Sequence, residues 1–297
     1  MKLKLTTLAL AIATLASAQQ VTVVSHKQLL RGVESQCYSP VISSDGTKVL
    51  FTGERYSGLK LYDITNNVTT RIADDAMAGF MPTFSPDADK VYYLSQTSKD
   101  MLTYRSVKCF DIAQAKSIDI TAPERGMRSP VATSTGIITV SDNGRQLRGK
   151  AAGTTAYTDG SQIVVATPTG ERTLRPVDTK YSYLWTSLSP DGSKILFYAG
   201  GVGAFVCDLQ GNIIGSYGRC SSPAWCGNNH IVVCRETSDG HQYESASLEI
   251  VSLDGSYSQR LTAPESMSFS PSASVDGSRL VYNTIDGRLF LMQLNIK

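Results

Sequence analysis

A Ser-Pro dipeptide recurs along this chain, followed at a fixed offset by an Asp-containing turn and then by an apolar run. The copies read Ser39-Pro-Val-Ile-Ser-Ser-Asp-Gly-Thr-Lys-Val-Leu-Phe51, Met81-Pro-Thr-Phe-Ser-Pro-Asp-Ala-Asp-Lys-Val-Tyr-Tyr93, Trp185-Thr-Ser-Leu-Ser-Pro-Asp-Gly-Ser-Lys-Ile-Leu-Phe197 and Ser270-Pro-Ser-Ala-Ser-Val-Asp-Gly-Ser-Arg-Leu-Val-Tyr282. Two degenerate copies begin at Ser129-Pro130 and Ser222-Pro223. Asp bonds its own downstream backbone, and Gly adopts positive φ without steric cost, so each copy predicts a tight turn. The β-branched and aromatic run that follows suits a buried strand.

The second residues of the copies fall at 40, 82, 130, 186, 223 and 271, a mean period of about 46. That is the period of propeller blades, each a four-stranded unit that buries its faces only against neighbours. A third strand follows in most copies, as in Leu59–Ile64, Val107–Ile112, Ala204–Leu209 and Leu248–Leu253. A turn then leads to a fourth, as in Thr69–Ala73, Ser117–Thr121, Ile213–Tyr217 and Ser258–Thr262. The last copy has room for only three strands, whereas Val21–Gly32 is surplus before the first. The sequence therefore predicts an all-β, six-bladed β-propeller whose N-terminal strand completes the last blade and closes the ring, which removes exposed sheet edges. A β-sandwich with recurring turns explains neither the fixed offset nor the matching surplus and deficit at the two ends.

The pattern Ser-Pro-x-x-Ser-x-Asp-Gly-x-Lys-Val-x-Phe, followed by a strand ending in Asp, resembles the WD-like propeller repeat of the TolB family. The resemblance spans essentially all of the chain after its first segment. TolB itself carries an α/β domain ahead of its propeller, and no counterpart is expected in the short stretch before Ser39. Related repeats form the propellers of prolyl-oligopeptidase-type enzymes, whose separate hydrolase domain is likewise not expected. Some TolB-like propellers are pectin-fragment lyases that hold a metal with several histidines; the resemblance implies such a site only where histidines converge.

Residues 1–18 read as a signal peptide: Lys2 and Lys4, an apolar run from Leu5 to Leu15, then Ala16-Ser17-Ala18. The apolar run is too short to span a bilayer. Residues 19–297 form the single propeller domain, with no membrane span expected in the mature chain and a periplasmic or extracellular location. The formal net charge of +2 includes Lys2 and Lys4. Without them the chain is neutral, and nothing global argues for nucleic acid. Export makes disulfides among Cys37, Cys109, Cys207, Cys220, Cys226 and Cys234 conceivable, but the spacing assigns no pairing and suggests no metal site.

No G-x-S-x-G nucleophile elbow occurs. The three histidines, His26, His230 and His241, are scattered. His241, with Asp239 and Glu244, is the one weak metal candidate, on a loop between second and third strands; a solvated polar loop is the plainer account. Propellers bind at the channel end formed by the connections into the inner strands. Those connections carry Tyr38, Phe80, Met81, Arg128, Tyr181, Tyr183, Trp185, Arg219 and Met267, residue types enriched in binding hot spots. An irregular excursion in the third repeat, 143–161, adds Arg145 and Arg148 as an expected loop insertion at the same end. The expected function is a non-catalytic binding scaffold, monomeric and without cofactor, for a protein or peptide partner in the cell envelope, with an anionic or peptide-like ligand at this end. The alternative is a channel-located enzyme, a carbohydrate lyase or hydrolase or a peptide-acting one.

Overall fold

The computed structural model describes residues 21–31, 36–133, 136–149 and 153–297, so the expected signal peptide lies outside the described residues. The chain starts with β1 (Val21–Gln28). The first repeat gives β2 (Tyr38–Ile42), β3 (Lys48–Thr52), β4 (Leu59–Asp63) and β5 (Val68–Ala73). The second gives β6 (Thr83–Phe84), β7 (Lys90–Lys99), β8 (Leu102–Asp111) and β9 (Lys116–Asp119). The third gives β10 (Val131–Thr133), β11 (Gly136–Ser141), β12 (Gly144–Gly149), β13 (Thr155–Thr158), β14 (Ile163–Thr167) and β15 (Gly170–Leu174). The fourth gives β16 (Tyr183–Leu188), β17 (Lys194–Ala199), β18 (Gly203–Asp208) and β19 (Ile213–Gly218). The fifth gives β20 (Ser221–Cys226), β21 (His230–Ser238), β22 (Tyr243–Ser252) and β23 (Ser258–Arg260), and the sixth β24 (Ser268–Ala273), β25 (Arg279–Thr284) and β26 (Leu289–Ile296).

Each repeat is an antiparallel meander, and β1 pairs with β26 from Val21 opposite Ile296 to Gln28 opposite Phe290, completing the sixth repeat with four strands. The all-β propeller and its closure by the N-terminal strand are thus as the sequence indicates. The third repeat carries an elaboration. It is long enough for two three-stranded sheets, β10-β11-β12 and β13-β14-β15, so among the described residues the six repeats give seven hydrogen-bonded sheets. The expected loop insertion is therefore corrected: most of the excursion is strand β12 plus strand β13. The β11–β12 turn is tight, closing at Ser141 opposite Gly144.

The core sits between sheets. Leu50 and Leu61 pack with Phe84, Val91 and Tyr93 of the next sheet, while Val49 and Phe51 face Val281, Leu289 and Leu291 on the other side. Equivalent layers join each sheet to the next around the ring: Leu94 and Val107 with Met127 and Ile137, Ile138 with Val164, Val165 with Phe197, Leu196 with Trp225, and Val232 with Leu280. Successive residues of a second strand point to opposite, equally buried faces, which is why these strands read as continuous apolar runs rather than alternating ones. Each fully buried Phe or Leu contributes roughly 1.5–3 kcal/mol over an exposed one.

The Ser-Pro dipeptide has a structural reason. In β2 the ladder advances from Tyr38–Thr52 to Val41–Leu50, three residues against two, and the same slip occurs at Leu184/Ser187, Ser221/Ala224 and Phe269/Ser272. Each slip is a β-bulge. In each, two bulge residues oppose one, and the first is left-handed: Ser39 (φ 48°), Trp185 (φ 49°), Ser222 (φ 47°) and Ser270 (φ 52°). The second bulge residue is proline in three of the four, at the position where the ladder is interrupted and a missing N–H costs nothing.

The turn that follows is a repeated polar knot. Ser189 Oγ donates to Asp191 Oδ1 (2.5 Å), which also accepts from the Ser193 backbone (3.0 Å) and hydroxyl (2.7 Å), while Lys194 N donates to Ser189 Oγ (3.0 Å). Ser43 with Asp45 and Thr47, and Ser274 with Asp276 and Ser278, repeat it.

Candidate functional site

Along one side of the channel the inner strands β6, β10, β13 and β16 wall a cavity of about 940 Å³. It runs from Phe80, Met81, Arg128 and Leu184 at the end where chains enter the inner strands, to Pro86, Ser189, Pro190 and Gly192 at the turn end. These four strands are the first members of their sheets, so among the described residues no strand pairs with their channel-facing edges.

Of the residues singled out in the sequence, Phe80, Met81, Arg128, Tyr183 and Trp185 come together here. Phe80 is held edge-on against Tyr56, with ring centroids 5.0 Å apart at 82°. Trp185 meets Tyr198 in the same way, 5.5 Å apart at 81°, its backbone turned by the bulge. Tyr183 is buried. Its hydroxyl donates to Val177 O (2.5 Å), its ring packs on Phe197, and burial raises its pKa. Arg128 is exposed and donates through Nη1 to Thr158 O (3.1 Å).

The others lie elsewhere. Tyr38 is half-buried against the Ile285 carbonyl (3.5 Å), and burial, then Glu54 and Asp286, raise its pKa. Arg219 is exposed, and its carbonyl accepts from Arg235 Nη1 (2.8 Å). Arg145 and Arg148 stand on β12 opposite Val140 and Ile137. Asp239, His241 and Glu244 are exposed around the β21–β22 turn, where Asp239 Oδ1 caps the His241 and Gln242 amides at 2.8 Å each; those bonds lower the Asp239 pKa. Among the described residues no three His, Cys, Asp or Glu side chains converge as metal ligands. His230 is buried, with Nε2 unpartnered among the described residues and its pKa lowered by desolvation.

Arg105 is a lining residue that the repeat pattern did not reveal. It stands on β8, in a hairpin of two ten-residue strands that outgrows the five- or six-residue strands of most repeats. Its signal in the sequence is the longer spacing between Lys90 and Asp111. The backbone of Arg105 exchanges hydrogen bonds with Glu124 (2.9 Å each way), and its Nε donates to Gln96 Oε1 (2.9 Å). Arg105 and Arg128 are the charged side chains among the described lining residues; no Asp or Glu accompanies them. Glu124 is committed elsewhere, accepting from Ser141 Oγ (2.5 Å) and Asn143 Nδ2 (3.2 Å). Thr186 also lines the cavity, and its buried Oγ1 has no partner among the described residues.

No helix of the described residues is long and apolar enough to cross a membrane. No protein-family model and no curated protein sequence matches the chain. Solved structures do. The Cps50 (Swd1) β-propeller domain of Myceliophteria thermophila superposes with a TM-score of 0.62 at 9% identity, over 92% of this chain and 99% of that one. An oligogalacturonate lyase in complex with manganese superposes at 0.51 and 12% identity, over 86% of this chain and 76% of that one. TolB from Acinetobacter baumannii aligns at 0.48 and 16% identity, over 89% of this chain and 56% of that one. At such identities the first two likenesses establish the β-propeller fold and leave the chemistry to the site itself.

Proposed function

We propose that this protein is an exported binding scaffold, acting in the periplasm or outside the cell, that takes a segment of a protein or peptide partner into its channel. The observation that carries this is the cavity, which gathers Leu184 and Trp185 of β16 with Phe80 and Arg128 from the connections into β6 and β10. Concave, largely apolar walls with a few placed polar groups are the form of a ligand site, and aromatic and Arg side chains dominate binding energy at interfaces. Export rests on residues 1–18, and N-terminal sequencing of the secreted form should begin near Gln19.

Site-specific photocrosslinking tests the binding end. A photoreactive residue at Leu184 should capture a defined partner in the cell envelope, with capture lost on Trp185→Ala. The same group at Val275, exposed in a turn between first and second strands, should capture nothing. Equal capture at both positions, or none at Leu184, removes the reading. The second reading, a channel enzyme, draws on the likeness to the manganese-bound lyase. It is favoured if purified protein retains a metal that is lost on changing His241, together with cleavage of an acidic oligosaccharide.

A further inference from the structure

The cavity's chemistry is more specific than a general partner site. Its described lining residues include two guanidinium groups and no carboxylate, amide or imidazole side chain. Arg105 spends Nε on Gln96 and Arg128 spends one Nη1 bond on Thr158 O, so both keep further N–H donors. The remaining wall is apolar and aromatic side chains, Trp185, Tyr157 and Tyr183 among them, and Ser or Thr hydroxyls. A neutral sugar carries a hydroxyl on nearly every ring carbon, and the amide and carboxylate side chains that pair such hydroxyls are absent from the described wall. A peptide calls for apolar surface and main-chain partners. Among the described residues no strand pairs with the inner edges of β6, β10, β13 and β16. Apart from groups already engaged, such as Tyr183 N with Gly160 O, Thr158 O with Arg128 and Ser187 O with Trp225, these edges offer N–H and C=O groups in the pattern by which an extended segment adds to a sheet edge.

Resting on the reading of the cavity as the binding site, we infer that Arg105 and Arg128 form a carboxylate clamp selecting an extended peptide with an acidic group. Phe80, Trp185 and Leu184 receive its apolar side chains. Arg pairs with carboxylate through parallel N–H bonds that are stronger than neutral ones, and a half-enclosed cavity screens the pair less than open water does. The acidic group is either a free C-terminal carboxylate or a Glu side chain.

The test uses the full protein carrying Trp225→Phe, so that the remaining tryptophan, Trp185, reports binding. Four probes are titrated: a Thr/Val/Phe hexapeptide amidated and neutral, the same peptide with a free C-terminal carboxylate, the amidated peptide with one internal Glu, and trigalacturonate. One or both acidic peptides should bind about tenfold tighter than the neutral one, a difference of about 1.4 kcal/mol. Which of the two does so identifies the source of the carboxylate. Arg105→Gln and Arg128→Gln should each erase that preference while the circular dichroism spectrum stays native, and Arg105→Lys and Arg128→Lys should restore part of it. The inference is overturned if no acidic peptide binds, or if the Gln variants keep the preference. If the neutral peptide binds as tightly as the acidic ones, the clamp fails while the scaffold reading survives. If only trigalacturonate binds, both fail.

Discussion

His26 Nε2 lies 2.8 Å from the Tyr282 hydroxyl, with its ring 5.3 Å from that of Phe290. The pair fastens the first described strand to the last repeat, the seam on which ring closure depends. Desolvation by burial lowers the His26 pKa, so the folded seam favours the neutral ring. A histidine whose pKa is depressed on folding contributes fully above its unfolded value of about 6.5 and loses that contribution as pH falls below it. Amide exchange in β1 and β26, corrected for intrinsic rates, should therefore accelerate between pH 7.5 and 5 relative to the central strands. His26→Phe keeps the aromatic stack and should flatten that dependence. An unchanged slope in the variant would assign the effect to another group.

The polar knots predict acid sensitivity at lower pH. Desolvation alone would raise the Asp191 pKa, but hydrogen bonds from Ser189 and Ser193, with the Lys194 charge, outweigh it and hold it at about 2. Asp45 and Asp276 are lowered by the same opposition of burial and hydroxyl donors. Depressed carboxylates stabilise the fold above their unfolded pKa of about 3.9 and lose that stabilisation as pH falls through the folded value. The melting temperature should drop steeply between pH 4 and 2, and Asp191→Asn should lower it at pH 7 while shallowing the acid slope. A melting temperature at pH 7 unmoved by Asp191→Asn would show that the knot is decorative.

The bulges predict a stabilising change. Ser270 holds φ 52° ahead of Pro271, a region that costs a residue with Cβ about 1 kcal/mol or more. Glycine removes that strain and returns part of the gain as unfolded-chain entropy. Ser270→Gly should thus be neutral to stabilising by up to about 1 kcal/mol in denaturant unfolding, whereas Ser270→Val should destabilise. A destabilised glycine variant would mean that the serine side chain outweighs the backbone strain.

The repeat made most of this fold legible because turn chemistry is local. Asp191 bonds atoms two residues away, and the apolar run after it needs no distant partner to be recognised. Closure was legible for a different reason: the strand surplus before Ser39 matched a deficit after Pro271. The third repeat was less transparent. Neither Arg145 nor Tyr157 belongs to a Ser-Asp turn, so the excursion reads as a loop although its residues pair as β12 and β13. At the site, Phe80, Arg128 and Trp185 could be found because they sit at the chain's arrival on inner strands. Arg105 could not, because it reaches the cavity from a third strand, through a hairpin whose length and not whose sequence aims it.

Burial also decides the fate of the cysteines. All six are buried; Cys226 Sγ donates to Gly277 O (3.5 Å) and Cys234 Sγ to Ser268 O (3.3 Å). Desolvation pushes Cys207, Cys226 and Cys234 up to about 12 and Cys220 to about 11. Thiol–disulfide exchange needs thiolate and access, and these groups have neither. In an oxidising medium the folded protein should keep its thiols reduced through packing alone. After folding in such a medium, with Cys37→Ser to simplify the count, a thiol reagent at pH 8 should find no fast-reacting group in the native state. All five remaining cysteines should react once guanidinium unfolds the ring. Fewer than five in denaturant would mean that oxidation overtakes folding, and that the inter-sheet layers around Cys207 and Cys234 close only after the chain has met oxidant.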